Sequence, residues 1–136
     1  MKYSNDSGGR ENYFPAKLKK DKTGDCVIRA IAIATDTDYL NVWQSLFKIG
    51  LESGHLPNDK RVTEPYLNSL GWVKHKPMRK SNGKKYKVKN LPVNKNTSYI
   101  LHTSKHWTAI VNNEHRDTWN CGEWCANSYY TKQEGK

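Results

Sequence analysis

The segment Thr23-Gly24-Asp25-Cys26-Val27-Ile28-Arg29-Ala30-Ile31-Ala32 turns a polar chain into an apolar helix and sets a cysteine at the point of change. Gly24 and Asp25 are turn and cap residues. After them Val27, Ile28, Ile31, Ala32 and Ala34 make an almost wholly apolar helix, with small alanines that let a sheet approach closely. Such a helix belongs at the centre of a fold. Cys26, at its start, sits against unpaired backbone N–H groups and the positive end of the helix dipole, which favour a thiolate. A thiolate in that position calls for a base.

A base stands downstream, in Ser104-Lys105-His106-Trp107-Thr108-Ala109-Ile110-Val111, followed by Glu114-His115-Arg116-Asp117-Thr118-Trp119. The intervening Asn112-Asn113 reads as a tight two-residue turn, because asparagine tolerates positive φ. With that turn, Val111 lies opposite Glu114, Ala109 opposite Arg116, Thr108 opposite Asp117 and His106 opposite Trp119. Side chains alternate across a strand, so His106, Thr108, Asp117 and Trp119 share one face, and Asp117 is the diagonal neighbour of His106, within about 7 Å between backbones. A carboxylate there holds one imidazole nitrogen and leaves the other to take the cysteine proton. A slip of one residue in register would send Asp117 to the opposite face. Cysteine, histidine and then a carboxylate is the order of a thiol hydrolase, with Cys26 as nucleophile, His106 as general base and Asp117 as the orienting acid. Taken singly, each has a plainer reading: a buried small hydrophobe, a satisfied histidine, a turn or ion-pair residue. Their joint order and the hairpin carry the inference.

Two further helices are expected. Asp36-Thr37-Asp38 caps one in which Tyr39, Val42, Trp43, Leu46, Phe47 and Ile49 recur at helical spacing until Gly50 stops it. A third, short helix begins at Thr63, with Glu64-Pro65 in its first turn, and ends at Leu70-Gly71. Beyond these the signals are those of strands, at residues 72–74, 86–89, 98–103, 107–111 and 115–119. Helices first and antiparallel strands afterwards give an α+β fold. Residues 1–20, rich in Ser, Asn, Gly and Lys, read as a loosely ordered segment, and residues 21–136 as a single domain.

No apolar run approaches the ~20 residues of a membrane span, and Met1-Lys2-Tyr3-Ser4-Asn5-Asp6 is too polar for a signal peptide, so a cytoplasmic protein with reduced thiols is expected. No cofactor is read from the chain, and the candidate triad needs no metal. Zinc is the rival reading of its thiols: Cys121-Gly122-Glu123-Trp124-Cys125 with His115 supplies three ligands, but no fourth follows at a convincing spacing. The plainer reading makes Cys121 and Cys125 ordinary residues of a segment whose Trp124, Tyr129 and Tyr130 pack on the sheet. His55, His75 and His102 fall into no recognised spacing. The net charge of +10 gathers at residues 17–22 and 74–89, the latter with eight Lys or Arg around a hairpin tip at Ser81-Asn82-Gly83. This basic surface suits an acidic protein substrate, an anionic cell wall or, as an alternative function, a nucleic-acid backbone, although no recognition-helix or aromatic ribonucleoprotein motif is present.

Gly24-Asp25-Cys26-Val27-Ile28-Arg29-Ala30, together with His106-Trp107-Thr108-Ala109-Ile110-Val111 and Asp117-Thr118-Trp119, resembles the papain-like cysteine hydrolase superfamily, in particular small peptidase-like proteins encoded by bacteriophages. The histidine block is also similar to that of bacteriocin-processing peptidases and peptidoglycan-cleaving amidases. The resemblance spans about residues 23–119, with these blocks as its specific parts. It implies a papain-like fold in which an N-terminal helix bearing Cys26 packs on an antiparallel sheet bearing His106 and Asp117. It also implies peptidase or amidase chemistry through a thioester on a protein or peptide substrate, inside a bacterial host. Trp107 and Trp119 would flank the cleft. Many members place a Gln or Asn shortly before the nucleophile as an oxyanion donor, whereas residues 19–23 carry no amide side chain. The backbone N–H of Cys26, helped by Thr23 or Lys22, would take that role. A catalytically silent relative that binds and inhibits a host defence factor is the second alternative.

Overall fold

Apolar residues at helical spacing form α1 (Cys26–Thr35), α2 (Tyr39–Ser53) and α3 (Lys60–Ser69) in the computed structural model, which describes residues 1–14 and 24–133. Strands β1 (Lys2–Asn5), β2 (Trp72–His75), β3 (Tyr99–Thr103), β4 (His106–Val111), β5 (Glu114–Asp117) and β6 (Tyr129–Lys132) build one sheet in the order β1-β5-β4-β3-β6-β2. The fold is α+β. Its sheet is mixed rather than wholly antiparallel, because β1 pairs parallel to β5, Tyr3 opposite His115 and Asn5 opposite Asp117.

That pairing reorganises the beginning of the chain. Tyr3 donates its hydroxyl hydrogen to the Asp117 carbonyl at 2.9 Å, and the Asp6 N–H donates to the same oxygen at 2.9 Å. The chain then crosses α1 at Gly8, where φ is +70° and a Cβ would lie 3.1 Å from the Arg29 carbonyl oxygen. Residues 2–5, which composition alone assigned to a loosely ordered segment, thus form an edge strand. The basic cluster at residues 17–22 and the oxyanion helpers Lys22 and Thr23 lie outside the described residues.

Two helix boundaries and two strand assignments also differ from those expected. The second helix passes Gly50 and ends at Ser53, with Gly54 in the left-handed region at φ +78° as its cap. Gly50 serves packing instead, since a Cβ there would meet the His55 carbonyl oxygen at 2.6 Å. The third helix starts at Lys60 rather than Thr63, because Asp59 caps it by accepting from the Arg61 N–H at 2.8 Å, and Pro65 falls inside it. Residues 86–89 do not enter the sheet. Val88 and Lys89 donate to the carbonyls of Trp124 and Gly122, and Val88–Asn90 closes a 3-10 turn. The β6 strand had no counterpart among the expected strands, although Tyr129, Tyr130 and Thr131 are all good β-formers.

The helices cover one face of the sheet, where Ile31, Leu46, Val42, Ile100 and Ala109 are wholly buried. A second cluster, Val88, Leu91, Leu101, Ile110 and Ala126, fills the other face beneath the segments linking the strands. By strand alternation His106 and Thr108 share the side of Ile110, at the end of the sheet where α1 begins. Among the described residues, no helix is long and apolar enough to cross a membrane.

Candidate active site

The hairpin that carries His106 and Asp117 has the expected turn and register. Asn112 and Asn113 lie at φ +52° and +59°, a turn that follows the twist of the strands, and Val111 pairs with Glu114, Ile110 with His115 and Ala109 with Arg116. Continued by one residue, this register brings Thr108 and Asp117 together, and the Thr108 hydroxyl donates to Asp117 Oδ2 at 2.6 Å. His106 Nε2 meets the same oxygen at 2.6 Å. Both residues are buried, and the Trp119 ring lies 4.7 Å from the imidazole.

Cys26, the first residue of α1, completes the line. Its half-buried sulfur shares a hydrogen bond with His106 and accepts one from the Trp107 backbone N–H. Burial disfavours the thiolate, but these bonds and the nearby charges of His106 and Arg29 outweigh it and hold the thiol below its ordinary value. For His106 burial opposes protonation, whereas hydrogen bonds to Asp117, Cys121 and Cys26 favour it and push the ring up to about 11. Asp117 shows the complement: burial would raise it, yet His106 and Thr108 hold it below the usual carboxylate range. Cys26, His106 and Asp117 thus form one hydrogen-bonded series whose charges favour a thiolate–imidazolium pair.

The network extends to residues the sequence reading did not select. Arg29, the lone charge in the apolar α1, sets Nη2 3.8 Å from Asp117 Oδ1 and Nη1 against Asp25 Oδ1. Asp25 Oδ2 accepts from Arg10 Nη1 at 2.8 Å and from the Tyr39 hydroxyl at 2.5 Å. Held in this way, the Asp25 carboxylate makes no hydrogen bond to the first turn of α1, although its residue type and position are those of a helix cap. A buried arginine in an apolar helix requires a carboxylate, so Arg29 and Asp25 four residues apart carried a readable signal. Arg10 carried none.

Cys121 is also in the site. Fully buried four residues beyond Asp117, it hydrogen bonds to His106 and lies 3.4 Å from His115 Nε2. His115 Nε2 is 2.8 Å from Thr108 Oγ1, and since Thr108 gives its one hydrogen to Asp117, the imidazole N–H is the donor in that contact. The zinc reading of His115, Cys121 and Cys125 is not met. Cys125 is exposed, and among the described residues the donors that converge are those of His106, Asp117 and Cys121. Trp107 is no cleft wall either, because its ring stacks on His102 at 4.0 Å and packs in the helix-side core. Trp119 does flank His106, and exposed Trp124 meets it edge-on at 5.2 Å. The tip at Ser81-Asn82-Gly83 is a turn, bracketed by a bridge between Arg79 and Lys85, with Gly83 at φ +83°. Comparison with protein-family models, with curated proteins and with solved structures finds no match to this chain.

Proposed function

We propose that this protein is a papain-like cysteine hydrolase, a peptidase or amidase that works through a thioester at Cys26. The observation that carries the reading is the hydrogen-bonded line from Cys26 through His106 to Asp117. The Cys26 thiolate attacks a substrate carbonyl carbon and forms the C–S bond. Imidazolium His106 then gives its proton to the leaving nitrogen as the C–N bond breaks. A water molecule, deprotonated by His106, next attacks the thioester carbon, and the C–S bond breaks to return the thiolate. With Asp117 on Nε2, Nδ1 is the ring nitrogen that exchanges these protons. The oxyanion would lie against the first-turn N–H of Cys26, a turn that the Asp25 side chain leaves uncapped.

A cavity of about 250 Å³ beside the Cys26 turn, lined by Gly24, Val27, Ile28, Trp43, Phe47 and Pro57, would take an apolar group of a protein or peptide substrate. The basic segment at residues 74–89 favours an acidic one. The similarity to phage-encoded peptidase-like proteins supports a role in the cytoplasm of an infected bacterium.

The test is alkylation of Cys26 by iodoacetamide from pH 4 to 9, read by mass spectrometry of peptides, with exposed Cys125 as internal reference. In the wild type Cys26 labels rapidly well below the ordinary thiol value of ~8.5, and His106→Ala slows labelling at pH 6 by about tenfold or more. Labelling that ignores the histidine substitution would overturn the hydrolase reading and leave a binding scaffold.

A further inference from the structure

The mechanism above leaves Cys121 without a task, although its sulfur is buried against the same imidazole that serves Cys26. We propose that His106, Asp117 and Cys121 form a binding site for a divalent zinc-class metal ion, which enters by the cavity beside His115.

One donor atom from each residue lies within 4.8 Å of the others, and all three residues are buried. Nitrogen, carboxylate oxygen and thiolate sulfur together are the donor set of zinc and its neighbours, whereas magnesium and calcium select oxygen alone. A tetrahedral ion with bonds of about 2.0–2.3 Å sets its donors roughly 3.3–3.8 Å apart. The 2.6 Å contact between His106 and Asp117 must therefore open by about an ångström, and the sulfur must settle at the same spacing from both. Side-chain rotation covers such shifts.

The surroundings suit an ion. Asp117 Oδ1 already faces the Thr118 N–H and Arg29, which leaves Oδ2 for a metal. Thr108 orients Asp117 and His115 together, and His115 Nε2 lies 3.4 Å from the Cys121 sulfur and confines it to the site. Access comes from a cavity of about 270 Å³ lined by Tyr3, His115, Asn120, Gly122 and Glu123, two of which flank Cys121 in the chain. On binding, the ion replaces the Cys121 thiol proton and the proton shared by His106 and Asp117, and both leave to solvent. The ion takes the place of the His106–Asp117 hydrogen bond that orients the ring towards Cys26, so the loaded form is the resting form of the proposed hydrolase. Binding itself is independent of whether Cys26 is a nucleophile.

Titration of the reduced protein with Co²⁺, followed by displacement with Zn²⁺, tests the site. One equivalent of Co²⁺ binds with a near-ultraviolet sulfur-to-metal band, and Zn²⁺ removes that band. Cys121→Ser abolishes the band and His106→Gln weakens binding about tenfold or more, while Cys26→Ala and Cys125→Ala retain both band and affinity. Melting of each metal-free variant reports folding. Should Cys121→Ser fail to fold, the loss of Co²⁺ affinity in His106→Gln, set against its retention in Cys26→Ala, decides the matter. The proposal is overturned by an absence of saturable Co²⁺ binding, by a band that survives Cys121→Ser, or by one that disappears with Cys26→Ala.

Discussion

Two charged regions of this molecule look alike in sequence and differ in what they do. Around the start of α1, Arg10, Asp25, Arg29, Asp117 and His106 are drawn into one buried network; the Asp25 and Asp117 side chains are each only 3% exposed. On the segment at residues 74–89, Lys87 and Lys89 meet Glu123 with all three side chains about half exposed or more. The worth of an ion pair depends on what its loss leaves behind. Removing a partner from the first region strands a charge away from water, whereas in the second water takes the empty place. The buried set therefore holds geometry, and the exposed set provides a field.

The sharpest way to break this comparison is Asp117→Ala. It takes the carboxylate from His106, Thr108 and Arg29 together, and the expected loss is about 3–5 kcal/mol in urea denaturation, with slower alkylation of Cys26 at pH 6. A loss below about 1 kcal/mol would place Asp117 with the surface pairs. The same contrast appears in pH. Asp117 is held below its ordinary value of 3.8, so its share of stability is present above that pH and disappears as pH falls through the lowered folded value. His106 is raised from 6.5 to about 11, so its share is complete below 6.5 and declines as pH rises towards 11. The stability gap between wild type and Asp117→Ala is thus expected to be widest between about pH 4 and 6.5, and a gap that is flat across that range and beyond it would contradict the pairing.

Asp25→Asn removes the charge between Arg10 and Arg29 but keeps an acceptor for the Tyr39 hydroxyl, and should cost about 2–3 kcal/mol. Thr108→Val leaves Asp117 and His115 each short of a partner and should cost about 1–2 kcal/mol in the same assay. Glu123→Gln closes the series. Its unfolding midpoint is expected to match the wild type in low and high salt alike, and a clear drop would show that the surface cluster is structural after all.

The core of the candidate site was legible in the chain for a local reason. Asn112-Asn113 admits a narrow set of turn conformations, that turn sets the register of β4 and β5, and the register sets which side chains share a face with His106. Cys26 was legible because a change from polar to apolar periodicity marks where a helix begins. The same local reading misplaced the starts and stops around Gly50 and Pro65, where a carbonyl in close approach and a cap at Asp59 outweighed residue preference. It also sent residues 86–89 to the sheet, although their partners are backbone groups of residues 122–126.

Helical and strand periodicity, one tight turn and one cap were thus sufficient for the α+β class, the central helix and the face on which His106 and Asp117 stand. Packing between distant segments supplied the rest. Pairing between Tyr3 and His115 turned the first residues into a parallel edge strand, the approach of Arg10 drew Asp25 away from capping α1, and burial of the turn after β5 brought Cys121 within hydrogen-bonding reach of His106. Short-range patterns are written in neighbouring residues because backbone geometry repeats every two or 3.6 positions. A contact between residues a hundred positions apart leaves no period, and it exists only once the chain has folded.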